Sequence, residues 1–296
     1  MTSPYTQSRA YMDTIVTIQV PKDASPDVTS KVERAFGWFR EVEQRCSRFD
    51  AASELRRLCD RPGAAVKVSR LLFAAIEFAV SLAGETEGAF DPTLGKALED
   101  KGFNRNYRTG DVASSGLRVA DCDYRSVVLD RTAQTVTLSE PVLLDLGAVA
   151  KGLAIDLASR ELGGLDGYLI NAGGDILVSG RDGDGKAWPI GIKDPFEPSR
   201  LVSVLAVSDA AVCTSGGYER PALAGEGHHI VSPADLKSPG ELVSVTVIAE
   251  SAMVADALST AVFVLGRDAG LELLCRQGVE GLLVESSGRV STTEGV

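Results

Sequence analysis

Apolar and polar residues alternate through "TIVTIQV" (14–20), the period of a strand with one buried face. Beyond it, Val32, Phe36, Phe39, Val42 and Cys46 recur at helical spacing. Leu72, Ala75, Ile76, Ala79 and Val80 share one face of a second helix, predicted from about Ser69 to Glu85. "SVVLD" and "TVTLS" read as paired strands around "RTAQ". Strand-like runs follow in "GYLINAGGDILVSG", "WPIGIKDP", "LVSVLAVSDAAVCTSGG" and "SVTVIA". A helix is expected from about Ser251 to Leu265, and then a helix–strand–strand unit. Residues 102–120 carry no clear period and read as a loop or a variable insertion. Helices and strands interleave throughout, which makes the class α/β or α+β. No period of 20–50 residues repeats.

Composition narrows this picture. The chain has 296 residues, 44% hydrophobic and 24% charged, enough for one large domain or two modest ones. A formal charge of −11 argues against non-specific binding to nucleic acid or anionic lipid. It also means that any anionic ligand needs a local positive charge. No stretch approaches the ~20 apolar residues of a membrane helix. The start, "MTSPYTQSRAYMDT", has neither a basic nor an apolar leader region. A cytoplasmic location is expected, and a trimmed exported form is compatible as well. Cys46, Cys59, Cys122, Cys213 and Cys275 are widely spaced with no C-x-x-C, and read as reduced, mostly buried thiols.

The common nucleotide, hydrolase and zinc signatures are missing: no G-x-G-x-x-G, no P-loop, no G-x-S-x-G, no H-E-x-x-H. Other stretches hold candidate chemistry. "SAMVADALSTAVFVLG" (251–266) is apolar almost all round, with Asp256, Ser259 and Thr260 in its interior on one face. An Asp–Thr pair is an oxygen donor set suited to Mg²⁺. A plainer alternative buries Asp256 against Arg or Lys, with Thr260 bonding back to its own helix. "LDLGAVAKG" (144–152) places Gly147 and Ala148 where a strand turns into a helix, a place that favours an anion. Lys151 suits the first turn only beside an anion, and Gly152 suits a close approach. A tight packing turn with a snorkelling lysine explains the same residues. "NAGGD" (171–175) reads as a hairpin loop with Gly173 and Gly174 at positive φ. "CTSGGYER" (213–220) is a second glycine-rich loop. His228 and His229 are the chain's histidines, a general-base candidate or a structural pair. In "GAFDPTLG" (88–95), Asp91 before Pro92 reads as a helix N-cap.

The order of these pieces resembles the ApbE family, the FAD:protein FMN transferases. "YMDTIVTIQV", "EQRCSRFDAASEL", "GAFDPTLG", "LDLGAVAKGLAID", "YLINAGGDILVSG", "IGIKDPF", "VCTSGGYER", "HHIVSP" and "ADALSTAVFVLG" carry the resemblance, over roughly residues 11 to 266. It implies one compact α/β unit that binds FAD and Mg²⁺, splits the FAD pyrophosphate, releases AMP and attaches FMN to a threonine hydroxyl of an acceptor protein. By the same resemblance, Asp256, Thr260 and the carbonyl of Ala148 hold the metal. Met12, Phe49, Ala89, Phe90, Asp91, Asp145, Lys151 and Ile230 line the FAD site, and His229 is the base. Three departures stand out. Asp13 replaces the glycine of the family's "MGT". Ser232 replaces an aspartate in the histidine loop, where "ADLKSPG" is also unusual. Lys96 stands where proline is usual. Two alternatives remain open at this stage: an Mg²⁺-dependent FAD pyrophosphatase giving FMN and AMP, and an FAD-binding protein without turnover.

Overall fold

Strands β1 (Tyr5–Tyr11) and β2 (Thr14–Val20) form an antiparallel hairpin, and β2 coincides with the alternating stretch. This structure is a computed structural model that describes residues 4–21, 25–105, 110–117, 123–218 and 227–295. Cys122, part of the 102–120 stretch and the Glu219–Arg220 end of the second glycine-rich loop lie outside the described residues.

Helix α1 (Pro26–Cys46) buries the apolar stripe read from the sequence, with Val32, Phe36, Phe39 and Val42 fully enclosed. Helix α2 (Glu54–Cys59) and the short strand β3 (Val66–Lys67) lead to α3 (Arg70–Glu85), whose N-cap is Ser69, its Oγ accepting from the Leu72 N–H. Helix α4 (Gly95–Asp100) follows, then strands β4 (Val127–Asp130) and β5 (Thr135–Leu138), which pair around "RTAQ" and join β3 in a small sheet. Next come α5 (Gly147–Glu161), β6 (Gly167–Ala172), β7 (Asp175–Gly180), β8 (Trp188–Lys193), β9 (Leu201–Val207), β10 (Ala210–Gly216) and β11 (Leu242–Ala249). The chain closes with α6 (Ala252–Leu265), α7 (Arg267–Gln277), β12 (Glu280–Glu285) and β13 (Val290–Thr292), the expected helix–strand–strand unit.

The main sheet runs β1-β2-β6-β7-β10-β11-β12-β13, antiparallel at each pair, and β8–β9 form a separate ribbon. The two-residue strand period sorts its side chains between two covers. Ile18, Ile170, Leu177, Ala211, Cys213, Val247 and Leu283 join the core shared with the helices. Their neighbours Val178, Val212, Leu282 and Val284 pack instead with Trp188, Ile190 and Ile192 of the ribbon. Among the described residues no helix is long and apolar enough to cross a membrane. Cys46, Cys59 and Cys213 are buried free thiols; burial pushes Cys46 and Cys59 up to about 12 and about 11. Cys275 is exposed.

Two local expectations are corrected. Residues 141–146 form no strand and pair in no sheet; Leu143 O, Asp145 N and Leu144 N bond to Gly95, Pro92 and the Cys59 sulfur instead. Asp91 caps no helix. Its Oδ1 accepts from the Thr93 N–H at 2.8 Å and from the Thr93 hydroxyl, and α4 begins only at Gly95 after Leu94. The side chain closes a local turn because Pro92 and Thr93 do not continue into a helix.

Candidate active site

Helices α5 and α6 cross with almost no space between their backbones. A Cβ on Gly152 would lie 2.4 Å from Ala252 O and 2.5 Å from the Met253 Cα. The close approach that Gly152 permits is thus to the start of α6. Asp156 holds this crossing: its carboxylate accepts from the Ser251 hydroxyl at 2.6 Å and from the Ala252 and Met253 N–H groups. It also places a negative charge at the positive end of α6.

One turn further along α6, Asp256 faces α5. It is 5% exposed, and its Oδ2 accepts from the Gly152 N–H and lies 3.2 Å from Lys151 Nζ. Lys151 also pairs with Asp175, which is 3% exposed. The first residue of β7, Asp175 shares its strand face with Leu177 and so points to the helix side. Its other oxygen accepts from the Thr214 N–H at 3.2 Å. Ser215, in phase with Ala211 and Cys213 on β10, comes within 3.1 Å of the Thr260 hydroxyl and 2.7 Å of the Ser259 hydroxyl. The ion pair of the plainer reading, Asp256 with a lysine, is present. The bond back to the helix belongs to Ser259, which donates to Asp256 O, and not to Thr260.

Loops and turns build the opposite side. Asp145 accepts from the Gly147 N–H at 2.6 Å and pairs with buried Arg48, whose guanidinium lies 4.2 Å from the Phe49 ring centroid. Phe90 is buried, and its N–H donates to the Thr86 hydroxyl. Asp91 Oδ2 accepts from the Tyr124 N–H, and burial raises this carboxyl above its ordinary value. Between β1 and β2, Met12 and Asp13 both adopt positive φ, 51° and 58°, and the Met12 N–H donates to Glu43.

The two histidines separate. His228 Nδ1 accepts from the Ile230 N–H at 3.3 Å, so the proton sits on Nε2, which donates to Pro239 O at 3.2 Å. Its ring packs edge-on against Phe263, and burial lowers its pKa. That imidazole is occupied as a neutral structural group. His229 turns its ring toward Phe103 and lines the cavity.

A cavity of about 690 Å³ lies between the two sides, within the span of small-molecule sites. Met12, Phe49, Ala89, Phe90, Asp91, Asp145, Ala148, Lys151, His229, Ile230, Asp256 and Thr260 all line it. Arg48, Asp175 and Ser215 also line it, and sequence reasoning passed them over. Asp175 was signalled only as a carboxylate closing "NAGGD", and Arg48 only inside "CSRFD". Among the described residues, no group of three or more His, Cys, Asp and Glu side chains gathers as a metal site.

Known proteins share this chain's sequence and shape. The FAD:protein FMN transferase of Treponema pallidum is 31% identical over 318 residues, covering 99% of this chain and 87% of that protein. The protein of the same name from Vibrio cholerae is 31% identical over 242 residues, covering 78% and 72%. The solved ApbE protein of Thermotoga maritima superposes with a TM-score of 0.87 at 31% identity, covering 98% of this chain and 97% of that one. The flavin transferase ApbE of Vibrio cholerae superposes at 0.83 with 25% identity and the same coverage. The ApbE family profile matches residues 12–283, across every segment that lines the cavity, and the chain belongs to the ApbE family.

Proposed function

We propose that this protein cleaves the pyrophosphate of FAD and transfers FMN to a threonine hydroxyl of an acceptor protein, releasing AMP, with Mg²⁺ bound. The observation that carries this reading is that every residue the family resemblance assigns lines one and the same cavity.

The donor chemistry suits the metal. Asp256, the Thr260 hydroxyl and the Ala148 carbonyl form an all-oxygen set, as a hard cation prefers. The cavity also needs positive charge. Its lining cations are Arg48, tied to Asp145, and Lys151, tied to Asp175 and Asp256. Neither is left to neutralise a diphosphate, and Mg²⁺ would supply that charge and polarise a phosphoryl oxygen. Met12, Phe49, Ala89, Phe90, Asp91, Asp145, Lys151 and Ile230 hold and orient the nucleotide. His229 takes the proton of the acceptor hydroxyl as its oxygen bonds to the FMN phosphorus. The bond from that phosphorus to the bridging oxygen breaks, and AMP leaves with the electron pair. His228 is excluded from that task because both of its ring nitrogens are engaged.

Incubation with FAD, Mg²⁺ and a candidate acceptor should release AMP and leave the acceptor heavier by one FMN, located on a threonine by fragment mass analysis. AMP with free FMN alone would make the protein a pyrophosphatase. FAD recovered intact would overturn both readings.

A further inference from the structure

The turn between β1 and β2 carries an unexplained cost. Tyr11 pairs with Thr14, so Met12 and Asp13 form a two-residue hairpin loop, and both lie in the left-handed region. That turn favours glycine at its second position, where Asp13 stands with φ 58°. Among the described residues the Asp13 side chain makes no hydrogen bond or ion pair. Its Oδ1 is buried and has no hydrogen-bond partner among the described residues. An unpartnered buried oxygen is unfavourable. A glycine would relieve the backbone and remove the orphaned atom together. The same side chain lines the cavity, beside Met12, Thr14 and Glu43.

We propose that Asp13 is a specificity-determining residue, its carboxylate accepting a hydrogen bond from a hydroxyl or N–H group of the bound flavin nucleotide. This rests on the cavity being the FAD site. The chemistry of the partner follows from charge. A carboxylate repels the diphosphate, so its partner belongs to an uncharged, donor-bearing part of the ligand, on the flavin–ribityl half or on the adenosine half.

Titrations of FAD, FMN and ADP, with Mg²⁺ and with a chelator, beside melting curves, test this on the parent, Asp13→Gly and Asp13→Asn. Asp13→Gly should bind FAD about tenfold more weakly, the scale of a hydrogen bond to a charged group. It should melt at or above the parent temperature, because glycine suits the turn. Asp13→Asn should lose less, since its amide oxygen still accepts and asparagine tolerates this backbone. A matching loss for FMN places the donor on the flavin half, and one for ADP places it on the adenosine half; either supports the proposal. Unchanged FAD affinity in Asp13→Gly, against tight binding by the parent, overturns it. So does a loss confined to Mg²⁺-containing buffer, which would make Asp13 a metal ligand. A parent that binds no FAD overturns the assignment of the cavity as well.

Discussion

The two sides of the cavity are held by different means. On one side, Lys151, Asp175, Asp256 and Thr260 stand on α5, β7 and α6, elements locked by the Gly152 approach and the Asp156 cap. There the bonds that orient the chemistry also join the elements of the fold. On the other side, Asp13, Asp91, Asp145 and His229 stand on turns and loops: Asp91 closes a local turn, Asp145 is held by Gly147 and by Arg48, His229 meets the Phe103 ring, and Asp13 Oδ1 has no hydrogen-bond partner among the described residues. Side chains on the first side are therefore coupled to stability, as is Asp145 through its pair with buried Arg48, while Asp13 and His229 are expected to be replaceable with the fold intact.

The largest test of that contrast is Asp256→Ala. Loss of the carboxylate should reduce Mg²⁺-dependent AMP release by about 10⁴-fold or more, given several kcal/mol of metal-supplied stabilisation. The melting temperature should also drop, because Lys151 and the Gly152 N–H lose a buried partner. Near-parental turnover at limiting Mg²⁺ would overturn the proposal that Asp256 holds the metal.

His229→Ala should lower transfer by about 10²–10⁴-fold. On this loop-built side the melting curve should barely move. His228→Ala should show the reverse, with transfer within a few-fold of the parent and a lower melting temperature, since its bonds to Pro239 and Ile230 tie the loop together. Equal losses of transfer in both variants would erase the distinction between the two rings.

A fourth variant replaces no proposed ligand side chain, although the backbone N–H of its residue donates to Asp256. Gly152→Ala places a methyl 2.4 Å from a backbone oxygen that has little room to move. Overpacking of this kind costs about 1–3 kcal/mol, a shift of several degrees in a melting scan. If α5 and α6 part, turnover should fall with it. An unchanged melting temperature would mean that the helix side is more pliant than its contacts imply.

The smallest expected effect is a pH dependence. Burial lowers the pKa of His228, and the folded chain holds its ring neutral. In the unfolded chain the ring takes up a proton near pH ~6.5. Below that pH the unfolded state binds a proton that the folded state refuses, so stability falls with acidification. The contribution is complete above the unfolded value and is lost as pH falls toward the folded one. His228→Asn should flatten the melting temperature against pH below about 6.5. An identical slope would assign the acid sensitivity to other groups.

Much of this was legible in local pattern. The strand Thr14–Val20, the helix capped by Ser69 and the helix capped by Ser251 fall where alternation and helical spacing put them. Asp91 was misjudged because an Asx turn and a helix N-cap begin with the same residues, and only the chain beyond Pro92 distinguishes them. The value of Asp175 was hidden because "NAGGD" explains itself as a hairpin, with Gly173 and Gly174 at φ 65° and 103°.

By itself, then, the sequence determined the class, the succession of elements and the set of polar residues placed in apolar surroundings. Those follow from periods of two and 3.6 residues, which act over a few positions. Tertiary structure alone decided the partners: Lys151 between Asp175 and Asp256, Arg48 on Asp145, His229 in the cavity while His228 is tied to Pro239. Lys151 and Asp256 are 105 positions apart, and Arg48 and Asp145 are 97. No periodicity reaches across such distances. Charges meet there only because burying apolar faces brings the backbones together, and each buried charge must then be matched by whatever the fold has placed beside it.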